Sequence, residues 1–139
     1  MSVPDLARFL SAQAPVVAGV EAELAAGHKR SHWMWFIFPQ LAALGRSPTA
    51  RHYGIADVTE ARAYLAHPIL GPRLRHLVAL VTKVKGRTAH DIFHSPDDLK
   101  FRSCLTLFQA ISGEPVFAEA LAKFYQGMPD QLTLDLLAA

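Results

Sequence analysis

The chemistry of this chain is concentrated where two tryptophans stand two residues apart behind a pair of cations. The run is Lys29-Arg30-Ser31-His32-Trp33-Met34-Trp35-Phe36-Ile37-Phe38-Pro39-Gln40. On a helix each residue advances by about 100°, so Trp33, Trp35, Phe36 and Phe38 point in four separate directions. A helix that is apolar all round is either buried or lines a cavity on one side. Each large aromatic buries about 150–250 Å², worth roughly 4–6 kcal/mol of transfer free energy. Burial alone therefore accounts for the segment as core, and that reading stays open. The flanks point instead to a site. With Ser31 as N-cap, the unpaired first-turn amides lie beside Lys29 and Arg30, which makes an anion site. Pro39 ends the helix, and Gln40 offers a polar group at its exit. Aromatic faces bounded by cations and hydrogen-bonding groups suit a ligand with a planar ring and a phosphate or carboxylate.

A second candidate lies about 70 residues on, where Asp97, Lys100, Ser103 and Thr106 recur at every third position. They trace a polar strip along a helix whose other faces carry Phe101, Leu105 and Phe108. One reading is an ion pair with a solvated edge. The other is that Lys100 and Ser103 face the pocket of the tryptophans. Buried polar groups need partners, so the expectation is that Lys29, Arg30, His32, Gln40, Lys100 and Ser103 surround one concavity. Trp33 or Trp35 would stack a ring there, and His32 and Asp98 are the candidate proton carriers.

Other chemical signals are weaker. Cys104 sits among apolar neighbours and reads as a buried, inert thiol. His90 and His94 have the spacing of a metal pair but lack a glutamate between them and an evident third ligand. No metal site and no cofactor are expected. There is neither a glycine-rich phosphate loop nor a Gly-x-Ser-x-Gly elbow.

The elements that must position these groups read as helices. Ser2 can cap a first helix carrying Leu6, Phe9 and Leu10. A second starts near Pro15 and stops at Gly27, with Val17, Val20 and Leu24 as its stripe. Asp57 and Glu60 have capping-box spacing before Tyr64 and Leu65, and Pro68 breaks that helix. Residues 71–84 carry Leu74, Leu77, Val78 and Val81 on one face. Thr88 and Asp91 repeat the cap pattern. Ser95-Pro96-Asp97-Asp98 combines an N-cap serine, a first-turn proline and acids at the positive helix end; Gly113 closes that helix. Two more follow, over residues 115–126 and 130–137. Residues 45–56 are the least helical, and strand signals are weak throughout. The fold class is all-α: a compact bundle of about seven to eight helices, one domain over residues 1–139.

Bulk properties agree. Half of the 139 residues are apolar, 19% are charged and the formal charge is +2. A chain of this length buries roughly two-thirds of its unfolded surface and needs no staples. The single cysteine excludes an internal disulfide and indicates a reducing, cytoplasmic setting. Asp5 and Arg8 interrupt the first apolar stretch, against a signal peptide. The longest apolar run, residues 33–39, falls far short of the roughly 20 residues that span a bilayer. The charge is too small to argue for nucleic acid. The basic clusters at residues 28–30 and 83–87 read as solvated turns.

The motifs taken together resemble the bacterial family called domain of unknown function 1810. Residues 29–40 carry the resemblance, with Leu41, Gly45, Ser47, Tyr53 and Ile55. So do Tyr64-Leu65-Ala66-His67-Pro68, Leu70-Gly71, Arg73-Leu74, Asp98, Lys100, Ser103 and Thr106-Leu107-Phe108. Val17 stands where the family carries an aromatic residue, and His94 where it carries glycine, which weighs against the histidine pair as a metal site. Members are sometimes labelled calpastatin. Those inhibitors are long, disordered and repetitive, and this chain is none of these. The resemblance implies an α-helical fold and no established activity. A more distant similarity, through the Lys100-Phe101 helix, is to the NADAR class of helical ADP-ribose-processing proteins. The leading functional expectation is a pocket for a small anionic, ring-containing ligand, a nucleotide or ADP-ribose derivative, with glycoside-type hydrolysis as its enzymatic form. The alternative is a non-catalytic protein-interaction domain in which the aromatic segment is core.

Overall fold

Glycine and cap residues divide the chain into helices much as the sequence signals predict. The computed structural model describes residues 5–139, so the Ser2 cap lies outside the described residues. Ten α-helices follow one another: α1 (Ala7–Gln13), α2 (Val17–Ala26), α3 (Met34–Ile37), α4 (Pro48–His52), α5 (Val58–Ala66), α6 (Leu70–Thr82), α7 (Ala89–Phe93), α8 (Asp97–Ser112), α9 (Pro115–Tyr125) and α10 (Gln131–Ala138). Seven of the ten have seven residues or more, and no strand occurs among the described residues. The architecture is all-α.

Local chemistry explains most of the boundaries. Gly27 and Gly113 close α2 and α8 at φ +70° and +67°, the left-handed geometry that glycine adopts without strain. Thr88 and Asp91 complete a reciprocal capping box on α7. At α5 only half of the expected box forms. Asp57 accepts the Glu60 amide at 2.9 Å, but the Glu60 carboxylate turns to Arg8 and to the Ala56 amide. Ser95 does not cap α8, which starts one residue later with Pro96 in the flanking position.

Two long helices form the frame. Helix α8 packs against α5, α7, α9 and α10, and α6 packs against α2, α5 and α9. Their inner faces supply Leu74, Leu77, Val78 and Val81 from α6 and Phe101, Cys104, Leu105 and Phe108 from α8 to one continuous core. Burial pushes the Cys104 thiol well above its ordinary pKa, so it stays protonated and unreactive.

The stretch between α3 and α5 lacks long helices yet is firmly held. Leu41 and Ile55 form an isolated parallel bridge; the Ile55 amide donates to the Gln40 carbonyl and the Ala42 amide to the Ile55 carbonyl, both at 2.8 Å. A Cβ on Gly54 would stand 2.3 Å from Ala42 Cα, so only glycine permits this approach. Arg8 fastens the same stretch from α1, donating to the His52 and Gly54 carbonyls and pairing with Glu60 at 2.7 Å.

Candidate functional site

The aromatic segment divides between the core and a cleft. Helix α3 is a single turn of four residues, flanked by Trp33 and Phe38. Trp33, Met34, Ile37 and Phe38 are fully buried, whereas Trp35 and Phe36 are half-buried. Trp33 is only 1% exposed and offers no face to a ligand. Its indole is enclosed by Phe38, by the Lys29 ammonium 5.1 Å from the ring centre, and by Glu23.

The expected N-cap at Ser31 is not formed, for a physical reason. The helix starts later, with Trp33 in the cap position, and the chain before it is held to a carboxylate of α2. The Glu23 carboxylate, projecting from α2, accepts the Arg30 amide at 2.6 Å, the Ser31 amide at 2.9 Å, the Ser31 hydroxyl at 2.7 Å and the Trp33 indole N–H at 3.1 Å. Partial burial works to raise the Glu23 pKa. The hydrogen bonds from Arg30, Ser31 and Trp33 outweigh it and pull the value down to about 2. The anion held before α3 is thus the chain's own Glu23 carboxylate, bound by the Arg30 and Ser31 amides and not by first-turn amides of a helix capped at Ser31.

Lys29 is buried and points at Asp97 of α8, Nζ to Oδ2 2.9 Å. Asp97 also faces Lys100 at 3.7 Å. One carboxylate therefore stands between two ammonium groups, and this bridge ties the α3 segment to the start of α8. The Lys100 ammonium in turn lies 5.4 Å from the centre of the Trp35 ring, within cation–π range.

Beside Trp35 and Lys100 opens a cleft of about 450 Å³, walled by Gln40, Arg46, Ser47, Lys100, Ser103 and Asp130 among others. A small recess against Trp35, Phe38 and Tyr53 adjoins it and shares Gln40, Ala50 and Lys100 with it. Of the residues expected to meet, the structure brings Gln40, Lys100 and Ser103 together on the cleft, and Trp35 lines the adjoining recess with Gln40 and Lys100. Lys29 touches the group only through Asp97. Arg30, Ser31 and His32 are exposed and line neither space. Asp98 is also elsewhere: its carboxylate lies 3.5 Å from His90 Nδ1. His32 and Asp98 do not form a pair.

Arg46, Ser47 and Asp130 were not foreseen. Arg46 and Ser47 lie in the stretch with the weakest helical signal, where Ser47 caps α4 by accepting the Ala50 amide at 3.1 Å. Asp130 caps α10, accepting from the Thr133 amide and hydroxyl, while its own amide donates to Thr106 Oγ1. The sequence places a helix start at residue 130; its place on the cleft depends on how α10 returns to α8. Ser103 and Thr106 each donate to the carbonyl four residues earlier. Gln40 and Arg46 line the cleft, and neither side chain makes a hydrogen bond among the described residues. The apolar rim is formed by Leu99 and Leu132, 57% and 56% exposed.

Among the described residues no helix is long and apolar enough to cross a membrane. A family model described as a protein of unknown function, DUF1810, matches residues 3–137. A crystal structure of the conserved hypothetical protein Rv1873 from Mycobacterium tuberculosis is 52% identical, with 97% of each chain covered and a TM-score of 0.95. No curated protein matches the chain. Neither match connects it to the NADAR class.

Proposed function

The chain belongs to the DUF1810 family, and on that premise we propose that its cleft binds a small anionic, ring-containing ligand of the nucleotide or ADP-ribose kind. The observation that carries this reading is the convergence of Gln40, Arg46, Lys100 and Ser103 on one cleft, with Trp35 in the small recess that adjoins it. Lys100 and Arg46 supply positive charge for a phosphate, and the Arg46 fork suits its oxygens. Gln40 and Ser103 add hydrogen-bonding groups. The Trp35 ring and the Leu99 and Leu132 side chains supply the apolar surface for a planar ring. Hydrolysis of a glycosidic bond would need a proton carrier on the cleft wall. Asp130 is the carboxylate placed there, ahead of His32 and Asp98.

The test is a thermal-shift screen against nucleotides, ADP-ribose and sugar phosphates, on wild type and Lys100→Ala. A ligand at 100-fold excess over its dissociation constant stabilises by about 2.7 kcal/mol. The reading expects such a shift in wild type and its loss in Lys100→Ala. A shift that persists in full in Lys100→Ala removes the cleft from the reading.

The second reading, a non-catalytic interaction domain, is favoured by one observation: Leu99, Met128 and Leu132 are all more than half exposed. It expects no small-molecule shift, and a partner that is lost on Leu132→Asp.

A further inference from the structure

Helix α10 is seated lightly for its length. Thr133 is the one residue of its eight that is fully buried, against four of nine in α5. Leu134, Leu136 and Leu137 are partly buried, and Leu132 is exposed. The helix packs chiefly on α8. Open space borders it along its length. Asp130 and Leu132 face the cleft, Pro129 and Leu134 a groove of about 370 Å³ against α8 and α9, and Leu136 and Leu137 a groove of about 320 Å³ against Leu41, Ala43 and the start of α5. Helix α10 therefore runs from α8 to the stretch before α5. Those two supports also carry the cleft residues, Lys100 and Ser103 on one and Gln40, Arg46 and Ser47 on the other.

The connector before α10 is fastened, by contrast. Arg102 Nε donates to the Met128 carbonyl at 2.9 Å, and the Asp130 amide donates to Thr106 Oγ1 at 2.8 Å. Both anchors belong to α8, so the chain up to Asp130 stays with α8 and the loosely held part begins after it. An element with few buried apolar contacts opens at a lower free energy than the core it leans on. We propose that α10 is a strap that swings off the body as a unit about Asp130 while α6 and α8 stay folded, and that it gates the cleft. Opening carries Leu132 away from the rim and frees the span between the two supports. Asp130, Lys100 and Ser103 remain in place. The gating half of the inference rests on the ligand reading of the cleft; the opening half does not.

Thr133→Cys places a thiol beneath α10, at a position with no exposure, and the buried Cys104 of α8 is the control within the same chain. Both are challenged with a chromogenic disulfide reagent in native buffer. The proposal expects the thiol at position 133 to react at least about tenfold faster than Cys104, because it is reached by local opening. One common rate overturns it, since both thiols are then reached only through global unfolding. Hydrogen exchange of the wild type makes the same comparison without a substitution. The amides of residues 134–138 should exchange as a group ahead of Leu77 and Val78 in α6 and Leu105 in α8; exchange of all of them in one transition overturns the proposal. ADP-ribose is then added. Where it raises the melting temperature it should also slow the reaction at position 133, and stabilisation without slowing removes α10 from control of the cleft. No stabilisation counts against the ligand reading and with it the gating, while the ligand-free rates decide the opening.

Discussion

Lys29 Nζ and Asp97 Oδ2 meet at 2.9 Å, and this ion pair determines which lysine is left for a ligand. Lys29 is buried against Trp33, and Asp97 is mostly buried. Lys100 is the looser partner at 3.7 Å. Removing one member of a buried pair leaves an uncompensated charge, at a cost of about 3–5 kcal/mol in full burial. Lys29→Ala is therefore expected to lower unfolding free energy by about 2–3 kcal/mol, since Lys100 still faces Asp97. Lys100→Ala is expected to cost less than about 1 kcal/mol, the range of more exposed pairs. Urea denaturation of the two variants checks the order; equal losses would contradict it.

Glu23 makes the fold acid-sensitive. Its pKa falls from 4.5 to about 2 on folding. A group whose folded pKa is depressed contributes stability that is complete above the unfolded value and is lost as pH falls toward the folded one. The contribution is on the order of 1 kcal/mol, because the largely solvated carboxylate is screened by water. It disappears between pH 4.5 and about 2. Glu23→Gln should flatten that limb of the stability–pH curve. An unchanged limb would assign the acid sensitivity to other carboxylates.

The two tryptophans should differ sharply when truncated. The sequence does not tell the two rings apart, but Trp33 is the fully buried one. Trp33→Ala is expected to cost about 3–5 kcal/mol, as large core truncations do. Trp35→Ala should cost about half of that, because its half-buried ring removes less area from water. Paired denaturation curves measure the difference.

His94 holds φ +62° and ψ 173° at the end of α7. This region is essentially reserved for glycine, and another residue there costs about 1–3 kcal/mol. His94→Gly should raise unfolding free energy by about 1 kcal/mol, net of the extra entropy of a glycine in the unfolded chain. A loss of stability would mean that the His94 contacts with His28 and His90 outweigh the strain.

The sequence made the helices legible because their ends carry local chemistry. Thr88 with Asp91, Gly27 and Gly113 all act within one turn of their own position. The α6 stripe and the polar strip on α8 were legible from periodicity. The site was only partly legible, because its decisive partners are distant or lie on another element. Nothing near Ser31 announces that Glu23, on the preceding helix, will occupy its amides. Lys29 finds Asp97 across 68 positions of chain, a separation (97 − 29) that periodicity cannot address. Arg46 reaches the cleft on a stretch shaped by Arg8, Gly54 and the Leu41–Ile55 bridge rather than by any local pattern.

Tryptophan emission tests the central claim most directly, since the chain has two tryptophans and only Trp35 adjoins the cleft. ADP-ribose is titrated into wild type and Trp35→Phe. The account predicts a saturable change in wild-type emission and its loss in Trp35→Phe. No saturable change in wild type up to millimolar ligand, or an identical change in Trp35→Phe, would contradict it.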